Sequence, residues 1–130
     1  MRGSWVWLWA WLSLGLVPSS AAADTITAAE PLAVPPRFQG QWGSDQKHCG
    51  TDDDSRLTIG AGQIRFYESG GSIKAVVMQG QSDLAVIIAL SGEGETWLDY
   101  RHFRLSADGK TLTDVTVEPE LVRHRCPKGT

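Results

Sequence analysis

Apolar and polar residues alternate with period two along most of the chain after residue 56. In "RLTI" Leu57 and Ile59 share a face, and in "QIRFYE" Ile64 and Phe66 do, with Arg65 and Tyr67 opposite. "SIKAVVMQ" groups Ile73, Ala75 and Val77. "DLAVIIAL" places Leu84, Val86, Ile88 and Leu90 on one side and Ala85, Ile87 and Ala89 on the other. Because both of its sides are apolar, this segment is expected to be the most buried strand. "LTDVTV" and "LVRHRC" complete the pattern, and no stretch sustains a helical period. Between the runs lie "ESGGS", "QGQSD", "SGEGE" and "SADGK", which supply glycine or Asp-Gly where a tight turn needs positive φ. Strands repeating every ~8–12 residues indicate an antiparallel sandwich or barrel. Short consecutive hairpins favour an up-and-down order, and closure removes exposed edges. The expectation is an all-β, small antiparallel up-and-down β-barrel of about eight strands.

One run breaks the alternation. In "ETWLDYRHFRLS" Trp97, Phe103 and Leu105 share a face with Asp99 and Arg101, while Leu98 and Tyr100 lie opposite. Either a β-bulge near residues 99–102 resets the register or an Asp-Arg pair points inward; the bulge is the simpler account. An inward pair would imply a polar interior, because a buried ion pair is costly unless hydrogen-bonded. His102, beside this irregularity, is the histidine to test for a role. Asp99, Arg101 and His102 are therefore the candidate polar site.

The first 23 residues read differently. Arg2 precedes an apolar run from Trp5 to Val17, followed by Pro18, two serines and Ala21-Ala22-Ala23. That order is the pattern of a cleaved secretory leader, and the run is too short for a membrane span of about 18 or more residues. Cleavage is expected after Ala23, giving a periplasmic or secreted protein with no stable membrane anchor. Removing the leader takes away Arg2 and no acid, so the mature chain is one unit more acidic than the formal −3 of the whole. It also removes four of the six tryptophans and leaves Trp42 and Trp97. Residues 24–36, "DTITAAEPLAVPP", have three prolines and no period, and are expected to form a flexible tail before a barrel domain at 37–130. A mildly acidic domain with scattered cations gives no reason to expect nucleic acid.

Cys49 and Cys126 are the only cysteines. In an oxidising compartment an even count reads as a disulfide. It would close a loop of about 78 residues, worth roughly 4–4.5 kcal/mol in the chain-entropy treatment. The alternative is a Cys2His2 zinc site with His48 and His124, although the spacing matches no known finger and His48 and Cys49 would oppose each other in a strand. Glu93 with Glu95, and Asp52 with Asp53 and Asp54, offer carboxylates for acid–base work or calcium. Solvated acids in a glycine-loosened turn and in a surface loop are the plainer readings. No Gly-x-Ser-x-Gly elbow, phosphate-cradling loop or zinc-protease motif occurs, and no cofactor is expected.

Phe38 and Gly40-x-Trp42 on a first strand followed by a meander resemble the start of lipocalin and calycin barrels. The resemblance implies that Trp42 packs across the closed end and that a late arginine, Arg123 or Arg125, covers it. Gly43 stands where an aromatic commonly follows that tryptophan. More widely, "RFQGQW", "SRLTIG", "FYESGG", "LSGEGETW", "RLSADGKTLTD" and the final "RC" resemble an uncharacterised group of small secreted bacterial proteins. This resemblance implies the leader, barrel and disulfide, and no activity. A fainter similarity is to bacterial inhibitors of serralysin-type metalloproteases, which insert an N-terminal segment into the protease cleft. The resulting expectation is a monomeric, non-enzymatic binding barrel for a small hydrophobic ligand. The alternative is a protein-interaction module, such as a periplasmic protease or hydrolase inhibitor, acting through loops or the tail.

Overall fold

A computed structural model describes Gly3, Gly15 and residues 33–129. Apart from Gly3 and Gly15, the expected leader and the expected tail up to residue 32 lie outside the described residues. Eight strands follow in order: β1 Gly40–Gly43, β2 Leu57–Ile59, β3 Gln63–Arg65, β4 Gly70–Gln79, β5 Asp83–Gly92, β6 Glu95–Leu105, β7 Thr111–Asp114 and β8 Leu121–Arg125. Each pairs antiparallel with the next, and β8 pairs back to β1, closing an up-and-down barrel. This is the expected architecture. Closure at this strand number leaves an interior just wide enough for side chains to fill.

Trp42, Phe38, Phe103, Leu57, Leu84, Ile88, Leu90, Leu112 and Val86 fill it, each at most 2% exposed. The expected inward set of β5, namely Leu84, Val86, Ile88 and Leu90, is buried as a row. Its other side is not: Ile87 is 41% exposed, so β5 is buried on one face only. The apolar outer residues of "DLAVIIAL" face out of the barrel.

The bulge expected in β6 sits instead in β4. Every residue from Glu95 to Arg104 pairs with β5 without a break, whereas the β4–β5 register shifts between Ile73 and Ala75. An extra residue at Lys74 inverts the facing that follows. Val76 and Met78, rather than Ala75 and Val77, then pack against the core, and Val77 is 61% exposed.

The end of the expected tail belongs to the barrel. Val34 is buried, its N–H donates to the Ala61 carbonyl at 2.8 Å, and Pro36–Phe38 form a single 3-10 turn that sinks Phe38 into the core. Proline at the start of this turn supplies the fixed φ it needs.

Candidate functional site

The closed end is built around Trp42. The Arg125 guanidinium lies 4.2 Å from the Trp42 ring and donates to the carbonyls of Gly109, Gln39 and Arg37. Trp42 Nε1–H donates to the Phe38 carbonyl at 3.1 Å. One arginine thus ties the entry segment to the β6–β7 turn while stacking on the indole. Gly40 is needed here, because its φ is +128° and a Cβ would meet Arg125 Nη1 at 3.1 Å. Burial lowers the Arg125 pKa from its ordinary value, and the guanidinium remains a cation at neutral pH.

Of the two arginines that the lipocalin resemblance offered as a cover for Trp42, Arg125 takes the role and Arg123 does not. Arg123 turns into the barrel, 4% exposed, where its Nε donates to the Ser55 carbonyl at 2.7 Å. Its Nη1 stands 3.9 Å from Asp114 Oδ2 with no hydrogen-bond partner. The alternate reading of "WLDYRH" is the one observed: Asp99 and Arg101 point inward. Arg101 donates from Nε to Asp99 at 2.8 Å and from Nη1 to the fully buried Asp114 at 2.9 Å. Its guanidinium lies 4.8 Å from the Phe66 ring. Asp114 also accepts from the Thr116 N–H and hydroxyl. Burial pulls the Arg101 pKa down, but its bonds to Asp99 and Asp114 outweigh that and leave it raised. At Arg123 burial wins and the pKa falls, with Asp114 opposing and Arg101 adding. Arg101, Arg123, Asp99 and Asp114 thus form an interior quartet in which Arg101 links both aspartates and Arg123 stands beside Asp114; deleting one partner would leave the other without its counterpart.

His102 is not part of the quartet, because successive strand residues face opposite sides. On the outer wall its Nε2 meets Asp83 Oδ1 at 2.8 Å, and Arg104 Nε reaches the same oxygen at 3.3 Å. His102 lines a shallow depression of about 330 Å³ with Val77, Gln79, Asp83, Ala85 and Tyr100. This depression is one corner of a larger apolar surface. Tyr100 pairs with Ile87, Leu98 with Ala89, Val77 with Ala85, and Ala75 with Ile87. Leu98 is 71% exposed, Tyr100 54% and Val77 61%. Ala75, Val77, Ala85, Ile87, Ala89, Leu98 and Tyr100 therefore lie along the middle of the outer face of the three longest strands, with the exposed Lys74 beside them at the bulge. The sequence contains these residues, but the unexpected place of the bulge and the belief that β5 is buried on both sides hid the surface they form.

Cys49 and Cys126 form the expected disulfide, with Cα atoms 5.6 Å apart. The bond clips the β1–β2 loop to the end of β8, and neither sulfur remains as a thiolate for zinc. His48 instead meets Asp45 at 2.8 Å. Asp52 pairs with Arg56 at 3.0 Å, and Asp53 accepts from Ser55, so the acidic loop is spent on local contacts. Glu93 and Glu95 are exposed at the β5–β6 hairpin, where Glu93 and Gly94 both have positive φ. That is the primed turn such hairpins favour. Among the described residues no group of three or more histidine, cysteine, aspartate or glutamate side chains is placed to hold a metal, and no helix is long and apolar enough to cross a membrane. Comparisons with protein-family models, curated proteins and solved structures gave no match.

Proposed function

We propose that this protein is an exported, non-enzymatic interaction barrel whose contact surface is the outer face of β4–β6. One observation carries the reading: the interior is packed with side chains while Val77, Ile87, Leu98 and Tyr100 lie uncovered outside. Packed side chains take the space a small hydrophobic ligand would need in a barrel of this strand number. A contiguous exposed apolar surface rimmed by polar groups marks a place where another molecule binds. The leader pattern in residues 1–23 and the Cys49–Cys126 bond support action in an oxidising compartment. The reading keeps the class of the interaction module but moves its surface from the loops and tail to the barrel wall.

The test is a photo-crosslinking amino acid at position 98, with one at the exposed but isolated Val122 on β8 as the control. A discrete protein adduct at 98 and none at 122 is the expected result. No adduct at 98 overturns the reading, and a small removable mass on the native protein would then restore the ligand carrier.

A further inference from the structure

We infer that residues 26–32 of this chain dock as a further strand on the free edge of β4, alongside the stretch that the short β3 does not reach. β3 pairs with β4 only from Gly70 to Ser72, and the Ile73 N–H then donates to the Gly62 carbonyl at 2.9 Å. Beyond Ile73, among the described residues, no backbone hydrogen bond joins β4 to any segment except β5. Lys74 to Gln79, about 20 Å of strand, therefore pair on one side only.

The bulge decides which groups are left over. Side-chain facing and backbone direction both alternate along a strand, so residues of one facing send their N–H and C=O to the same side. Ile73 faces the core and points its N–H toward the β3 side. After the bulge the core-facing residues are Val76 and Met78, so their backbone groups point to that same side. Their side chains are only partly buried, whereas the core-facing row of β5 is at most 2% exposed. An apolar edge with unpaired N–H and C=O groups is a template for an extended chain.

The occupant follows from where the chain enters. The Val34 N–H donates to the Ala61 carbonyl, and Ala61 adjoins Gly62, which takes the Ile73 N–H. The chain before Val34 thus arrives beside the last paired residue of β4. Residues 24–32 extend to about 30 Å, more than this edge needs. As part of the same molecule they meet it at an effective concentration that a separate partner does not match. Coming from the Gln79 end, they run antiparallel to β4. Their sequence fits that place. Counted back at period two from the buried Val34, Leu32, Ala28 and Ile26 share its facing, with Ala29, Thr27 and Thr25 opposite; Glu30 alone breaks the pattern. Opposed residues in an antiparallel pair face the same way, so the core-facing set also makes the hydrogen bonds to β4. Pro31, which has no N–H to give, falls in the other set.

Amide hydrogen exchange, followed residue by residue by NMR on the chain lacking residues 1–23, tests this. The Val76 and Met78 amides are expected to be protected at least about a hundredfold relative to unstructured chain. Ala28→Pro removes a bonding N–H and should speed their exchange at least about tenfold; Ala29→Pro, in the other set, should not. The Ile88 amide, in the middle of β5, should stay slow in all three proteins and reports an intact barrel. If Ala28→Pro also loosens Ile88, Ile26→Asp against Thr27→Asp takes its place, with the same split expected. Fast exchange at Val76 and Met78 in wild type, or an equal response to the two members of a pair, overturns the inference. Protection that appears only as concentration rises assigns the edge to a second copy, and protection that needs an added protein assigns it to that partner; either result also overturns it.

Discussion

Arg101 and Asp114 meet inside the barrel at 2.9 Å, on strands β6 and β7, and Asp114 has no exposed surface at all. Its Oδ2 accepts from Arg101 and its Oδ1 from Thr116, so neither oxygen of this buried side chain lacks a partner. Arg101 bridges two carboxylates, Asp99 at the more open side and Asp114 beneath.

Removing the bridge should therefore cost more than a surface ion pair. Breaking a buried pair by deleting one partner typically costs about 3–5 kcal/mol, because the other charge is left uncompensated. Arg101→Met is expected to fall at about 2–4 kcal/mol, since Arg101 keeps 24% exposure and Asp114 keeps its Thr116 bonds. Urea unfolding measures it. The double variant Arg101→Met with Asp114→Leu should recover more than half of the loss; additive losses would show that the pair is not coupled.

The Cys49–Cys126 bond spans a sequence separation of 77 and reaches across most of the barrel's strands. Chain entropy assigns such a loop a stabilisation of about 4–4.5 kcal/mol. Cys49→Ser with Cys126→Ser should lower stability by about that much. Calorimetry of the oxidised protein with and without reductant should give the same shift as the double variant.

Gly40 answers to both backbone and side chain. Gly40→Ala forces a Cβ toward Arg125 Nη1 and places alanine at a φ of +128°. The expected loss is about 1–3 kcal/mol, the ordinary cost of a residue held in a sparsely populated backbone region. Loosening the closed end should also open Trp42, which is 1% exposed while Trp97 is 40% exposed. In wild type lacking residues 1–23, and with them four of the six tryptophans, acrylamide should quench the Trp97 fraction of the fluorescence and spare that of Trp42. In Gly40→Ala the protected fraction should shrink.

Asp83 gives the pH dependence a sign. Its hydrogen bond from His102, aided by Ser82 and Arg104 against partial burial, lowers its pKa below the ordinary 3.8. A carboxylate with a depressed folded-state pKa contributes stability that is present above the unfolded value and disappears as pH falls through the folded one. The contribution of Asp83 should therefore be intact above about pH 4 and drain away below it. Asp83→Asn should be less stable than wild type at pH 6, and the gap should narrow as the pH drops below 3.8. A gap that is constant with pH would assign the effect to shape rather than charge.

Strand positions, turns, closure and the disulfide were all legible in the sequence, because each rests on a local rule. Alternation of Leu84, Val86, Ile88 and Leu90 places a strand face, and "GEGE" and "SADGK" place turns. What escaped is what register decides. "IKAVVM" has apolar residues at both parities from Ala75 to Met78, so period two alone cannot say where the facing inverts. The bulge at Lys74 decides it, and with it the exposure of Val77. In β6 the reverse happened. Asp99 and Arg101 looked wrong for an interior, which pointed to a bulge, but their partner Asp114 comes from another strand and carries no signal near them. The candidate surface was hidden for the same reason: Ile87 reads as core until its neighbours Ala75 and Tyr100 are seen on the outer wall.

The pairing of β1 with β8 has a consequence for the time order of folding. Trp42 and Gly43 find their partners in Arg125 and His124, at opposite ends of the folded chain. Until β8 has been made and has paired with β1, the sheet has two open edges, and until Cys126 follows it Cys49 has no sulfur to join. β8 therefore acts as a latch: every earlier hairpin can form before it, and none of them can close the wall.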